Sequence, residues 1–294
     1  GGASMGLNIV FGIDTTTAAA ISGILGILLF ASPKMGGVLD NTAKVLGTVM
    51  LVLIGYVACS TNPPVAEAVT HAIVPTNYPW LATITLIGGT VGGYITFSGG
   101  HRLIDAGITG REHLKDVRRA AFMGMSVDAI VRILLFLAVL GVVSMGFALD
   151  PKDPAGSAFL LGAGEIGHKL FGIVFFCAAL TSVVGAAYTS VSFLKTLFKV
   201  VERYEKLTIM AFIFVSTCIL IFIGKPATLL IVAGSVNGLI LPVTLAVMLL
   251  ATRKTNIVGD YKHNPILFYT GWIVVLVTAY IGVTSLQGIA KLLG

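Results

Sequence analysis

The strongest constraint on this chain is the recurrence of apolar runs about 20 residues long, the length a helix needs to cross a ~30 Å hydrocarbon core. Full runs lie at 15–32, 42–60, 78–98, 120–149, 168–194, 207–224, 227–251 and 266–286, and a shorter one at 2–13 precedes them. In lipid no water is present to satisfy a peptide group, so only helices and closed barrels span a membrane. Continuous apolar runs of this length, without strict alternation, select helices. The expected fold is therefore all-α: a polytopic transmembrane helical bundle, with 1–294 as a single transmembrane domain of about eight full spans plus a partial N-terminal one. The longest connections are 61–77, 99–119 and 150–167. With 11% charged residues, against about 25% in soluble domains, no soluble domain is expected.

The basic residues sort by side. Lys34 and Lys44, then Arg102, Arg111, Lys115, Arg118 and Arg119, then Lys195, Lys199, Arg203 and Lys206, then Arg253, Lys254 and Lys262 fall in alternate loops. The opposite loops hold Lys152, Lys169, Lys225 and Lys291. Cytoplasmic loops carry the excess of Lys and Arg, so the richer set is placed inside and the C-terminus outside. The net charge of +6 is thus accounted for by topology, with no nucleic-acid partner; the bilayer is the partner the composition demands.

One span is unusually rich in glycine. From Leu86 to His101 it carries Gly88-Gly89, Gly92-Gly93 and Gly99-Gly100. Gly-Gly pairs hold a helix poorly, and non-helical backbone at membrane depth is tolerated only where it is buried in protein or lines a cavity. Secondary transporters bind their substrates at such breaks. The run as a whole reads as a broken helix; Gly88-Gly89 alone would read as close helix packing. A second interruption is expected at Gly234-Ser235-Val236-Asn237-Gly238, ahead of Pro242, with Asn237 either coordinating an ion or bonding to a neighbouring helix.

Other polar groups in spans have plainer readings. Asp128 and Arg132 share a helix face four residues apart, as a self-neutralising pair rather than a proton relay. Thr181, Ser182, Tyr188, Thr189, Ser190 and Ser192 either line a polar path or bond back to their own helix. Asp14 is a possible ligand or the cap of the helix starting at Thr15. His101 sits beside Arg102 at the inner edge, His71 and His168 fall on the outer side, and His113, with Glu112, Lys115 and Asp116, belongs to a solvated surface helix. Cys59, Cys177 and Cys218 have neither disulfide nor zinc spacing. No phosphate-binding loop, HExxH, GxSxG or CxxC is present, so no cofactor is implied and an enzyme is not expected.

Leu7-Asn8-Ile9-Val10-Phe11-Gly12-Ile13-Asp14, Thr90-Val91-Gly92-Gly93-Tyr94 and Asn237 through Leu241-Pro242 resemble the Nramp family of divalent-metal transporters, and its bacterial branch of Nramp-like permeases in particular. The resemblance implies a LeuT-like fold with discontinuous helices, proton-coupled uptake of a metal such as manganese or iron, and a bacterial plasma membrane. The leading segment then stands for the family's third helix, the glycine run for its sixth and the last span for its eleventh. The family's third helix runs outward and its sixth inward, as the charge distribution also has them.

Two departures accompany the resemblance. Gly92-Gly93-Tyr94-Ile95 stand where the family has a Met-Pro-His-Asn type motif, so the soft thioether ligand is replaced by backbone groups. The family's first helix, with its Asp-Pro-Gly-Asn motif, has no counterpart. The expectation is a chain without the first two helices, either a piece of a longer protein or a protein holding half of the site.

The reading is secondary active transport of a divalent metal by alternating access around the broken helix. Gly92 and Gly93 supply backbone carbonyls to the metal, Tyr94 contributes to substrate binding, and Asn237 contributes to both from the second interruption. A small organic acid or amino acid symporter on the same fold remains the alternative, and a non-transporting membrane subunit the second.

Overall fold

The structure, a computed structural model, describes residues 1–31, 33–92, 100 and 103–293. The described residues form helices and connecting turns, with no strand among them. In order the helices are α1 (Gly2–Phe11), α2 (Thr15–Ala31), α3 (Pro33–Ser60), α4 (Val65–Ile73), α5 (Trp80–Val91), α6 (Leu114–Ser144), α7 (Pro154–Lys195), α8 (Lys199–Arg203), α9 (Glu205–Ile223), α10 (Pro226–Ala251), α11 (Thr255–Val258) and α12 (Pro265–Leu293). Five of them are long and apolar enough to cross a membrane. Two bent pairs join them as interrupted candidates: α1 with α2 at 118°, and the 45–60 part of α3 with α4 at 102°. The all-α polytopic bundle expected from the apolar runs is what the chain forms.

Each break has a local cause. At the α1–α2 elbow Gly12 adopts φ 66° and donates its amide to the Asn8 carbonyl, a left-handed C-cap that suits glycine. The Asn8 side chain donates to the Ile13 carbonyl at 2.8 Å. Asp14 Oδ2 then accepts from the amides of Thr16 and Thr17, both at 3.1 Å, so its carboxylate serves as the cap of α2. α7 joins two helical stretches, and the first begins inside the expected 150–167 connection, where Asp153 caps it by accepting from the Gly156 amide at 2.9 Å, with Pro154 at its first turn. The two stretches meet at a kink at Gly164, which is non-helical at φ 65°, ψ −171°, so the shorter lies within the expected connection and the longer starts close to the expected apolar run.

The chain divides into two compact units, the first from 1–76 and 104–227, the second from 77–103 and 228–294. In the first, α7 is the hub and touches α1, α2, α3, α6, α8 and α9. Its main core packs Leu53, Ile54, Val57, Ala138, Val142, Phe159 and Phe171, with Phe159 and Phe171 stacked at 4.4 Å between centroids. α1 lies close on α7: a Cβ at Gly6 would come within 2.7 Å of the Gly172 carbonyl oxygen. Outward faces stay apolar and exposed, as at Ile166 (77%) and Phe222 (88%). A soluble surface does not tolerate contiguous patches of this kind, whereas lipid solvates them.

In the second unit, α5 crosses α10 backbone on backbone. Gly234 and Gly238, spaced four apart, face Ile84, Thr85 and Gly88. A Cβ at Gly238 would lie 2.5 Å from the Ile84 carbonyl oxygen, and one at Gly88 would collide with the Gly234 carbonyl oxygen and the Gly238 amide. Small residues at this spacing allow such approach in membranes. The Thr85 and Ser235 hydroxyls meet across the crossing at 2.7 Å. Consequently α10 is continuous from Pro226 to Ala251, and the expected interruption around Gly234–Gly238 is corrected: those glycines are a packing surface. Pro242 lies inside the helix without ending it. On α12, Tyr280 meets Trp80 edge-on at 5.7 Å.

The crossing distinguishes two adjacent glycines. Gly88→Ala is expected to cost about 1–3 kcal/mol by overpacking and to lower the melting temperature in detergent. Gly89→Ala, with nothing within 4 Å of its added methyl, is expected to be neutral or to stabilise by up to about 1 kcal/mol through helix propensity. Equal melting shifts for both would contradict the crossing.

Candidate functional site

α5 is apolar and only 12 residues long, and it stops at Gly92 with φ 65° and ψ 102°. Such a left-handed angle suits glycine and strains other residues. The helix thus leaves its regular path within an apolar run, as the glycine pattern predicts. Its carbonyl end carries the negative pole of the helix dipole, which suits a cation rather than a carboxylate. Of the other residues expected at the break, Gly93 and Tyr94 lie outside the described residues, as does His101.

Asn237 is half-buried and sits beside Gly238 on α10, while Gly92 lies four residues beyond Gly88 on α5. The two candidates are thus carried by helices that meet at the glycine crossing, one by the end of a helix and one by its middle. Nearby, Ile87, Val91, Leu241, Thr244, Met248 and Thr278 line a cavity of about 310 Å³ among α5, α10 and α12. Its walls are almost wholly apolar, so it supplies shape rather than ligands. Among the described residues no three of His, Cys, Asp and Glu cluster in a way that could hold a metal ion. Backbone carbonyls and amide oxygens, the ligands expected here, are hard ligands.

A second polar centre lies at the opposite ends of the sequence pattern, where α7 finishes. Asp105, helical with its neighbours 103 and 104, accepts through Oδ2 from Ser192 Oγ at 2.8 Å, Tyr188 Oη at 3.3 Å and Lys195 Nζ at 3.5 Å. Lys195 also pairs with Glu205 at 3.5 Å. The hydrogen bond from Ser192 is the chief cause holding the Asp105 carboxyl below its ordinary range; partial desolvation opposes it, and Lys195 and Tyr188 add to it. Sequence reading missed Asp105 altogether, and treated Lys195 only as a topological charge. The available signal was an acid within the basic 99–119 stretch, together with the spacing of Tyr188, Ser192 and Lys195 on one helix face.

The remaining spans follow the plainer readings. Arg132 Nε donates to Asp128 Oδ2 at 2.8 Å along α6, a pair closed on itself. Thr181, Ser182, Thr189 and Ser190 each donate to a carbonyl of their own helix three or four residues back, so the polar crowding along α7 is largely self-satisfied. Lys115, Asp116, Arg118 and Arg119 form the first turns of α6 rather than a separate surface helix. Cys59, Cys177 and Cys218 are free thiols.

Against known proteins, a family model described as natural resistance-associated macrophage protein-like, Nramp, matches residues 1–287. An uncharacterized membrane protein of Bacillus subtilis is 49% identical over 286 residues, covering 97% of this chain and 71% of that protein. An uncharacterized membrane protein of Haemophilus influenzae is 49% identical over 279 residues, covering 95% of this chain and 70% of that protein.

The lowered Asp105 value fixes a pH dependence. A carboxyl whose folded value is depressed contributes stability that is present above its unfolded value, about 3.9, and lost as pH falls through the folded one. Amide-exchange protection of residues 103–107, corrected for intrinsic rates, is therefore expected to stay flat between about pH 5.5 and 8 and to collapse only in strong acid. A transition near neutrality would assign the contact to a different titrating group.

Proposed function

The chain belongs to the Nramp family, and from that membership we propose that it moves a divalent metal cation across a bacterial plasma membrane by alternating access around the break after α5. The observation that carries the reading is the end of α5 at Gly92 within an apolar run, in a chain that matches the family from 1 to 287. The carbonyl end of α5 offers oxygen ligands and a negative dipole pole where the cation is needed. Gly92 and Gly93 contribute main-chain carbonyls, Tyr94 borders the substrate, and Asn237 offers its amide oxygen from α10. With oxygen ligands in place of a thioether, manganese or a harder ion is favoured over softer metals. The family resemblance adds protons as the driving ion. The loop charges place the C-terminus outside.

The direct test is uptake of radiolabelled manganese by vesicles carrying the full-length protein, with an inward proton gradient. Uptake above protein-free vesicles, reduced by excess unlabelled manganese and untouched by excess small organic acids or amino acids, is expected. Background uptake of manganese and magnesium together with uptake of an organic anion would replace the metal by the second substrate class. Gly92→Ala forces a side chain into a left-handed angle at a strain of about 1–2 kcal/mol, and is expected to lower manganese uptake about tenfold with the protein still in the membrane. Wild-type uptake by this variant would remove Gly92 from the site.

A further inference from the structure

We propose that Asp105 is a positioning residue: it latches the segment that follows the glycine run onto the end of α7, and release of this latch is a step of the transport cycle. The inference rests on the transport reading above.

The contact is built from the α7 side. Tyr188, Ser192 and Lys195 are spaced four and three residues apart, so they share one face of the helix. All three donate to the same carboxylate oxygen. Ser192 is fully buried. Its neighbours Thr189 and Ser190 donate to carbonyls of their own helix, whereas Ser192 donates across a gap of 87 residues in sequence. The other partner is different in kind. Every residue from 103 to 112 is exposed, so this stretch has no buried apolar anchor. Among the described residues, three side chains of α7 converge on it at the Asp105 carboxylate.

What makes the contact a latch rather than a staple is that each group has somewhere to go when it opens. Lys195 keeps Glu205, at the start of α9 and 3.5 Å away, so its ammonium is not left uncompensated. Ser192 has the carbonyl four residues back on its own helix, the bond that serine and threonine commonly make. Asp105 lies at the protein surface and passes to water, where a carboxylate is well solvated. The buried Ser192 hydroxyl and the Lys195 ammonium thus keep partners when the contact opens, and a transported ion that favours one arrangement would bias the two.

The test pairs amide exchange with uptake in the full-length protein, for wild type, Asp105→Ala, Asp105→Glu and Ser192→Ala. In Asp105→Ala and Ser192→Ala, exchange at residues 103–109 is expected to accelerate about tenfold, the loss of one charge-assisted bond partly screened by water. Manganese turnover should change several-fold with little change in half-saturation, and Asp105→Glu should restore part of both. Unchanged exchange in both disrupting variants would overturn the latch. So would faster exchange with the turnover of a competent wild type fully retained, since the contact would then be structural only. Absence of manganese uptake by the wild type itself is a separate outcome: it defeats the transport reading, and with it the cycle in which the latch would act.

Discussion

The structure depends on one rule: in a hydrocarbon interior each peptide group must bond to the protein itself, because water is absent. Long helices meet that rule within their own backbone, and the described residues are almost all committed to them. Every departure is then costly and must be supplied with partners. At the α1–α2 elbow the Asn8 side chain and the Asp14 carboxylate take up the freed carbonyl and amides. At the start of α7 the Asp153 carboxylate does the same. Gly92 is a departure of another kind, since it ends a helix inside an apolar run.

The same rule decides what could be read from the sequence. Spans were legible because length and apolarity are local properties, and the stop at Gly92 because successive glycine pairs weaken a helix. The short helical stretch ahead of Gly164 was not legible, because it lies outside the apolar run that marks the span. Gly234-Ser235-Val236-Asn237-Gly238 was misread as a break. Its glycines are four apart, and both lie on the face that meets α5. Whether a glycine weakens a helix or opens a contact is settled by the partner helix, and in this case the partner lies about 150 positions away.

Asp105 shows the limit more sharply. Its neighbourhood marks it only as an acid in a basic stretch, since its three donors come from a helix more than 80 residues later. A side chain that acts through distant partners leaves a trace only in the spacing of those partners. Asp128 and Arg132, four apart on one helix, were legible for the opposite reason: the whole interaction is contained in a single turn.

The crossing of α5 on α10 also has a mechanical consequence. Most helices meet through a layer of side chains that can change rotamer and absorb a small displacement. Here carbonyl oxygens rest against glycine backbone, and that compliant layer is missing. A tilt of α10 is therefore handed to α5 without slack, and the crossing serves as a fulcrum one helical turn from Gly92.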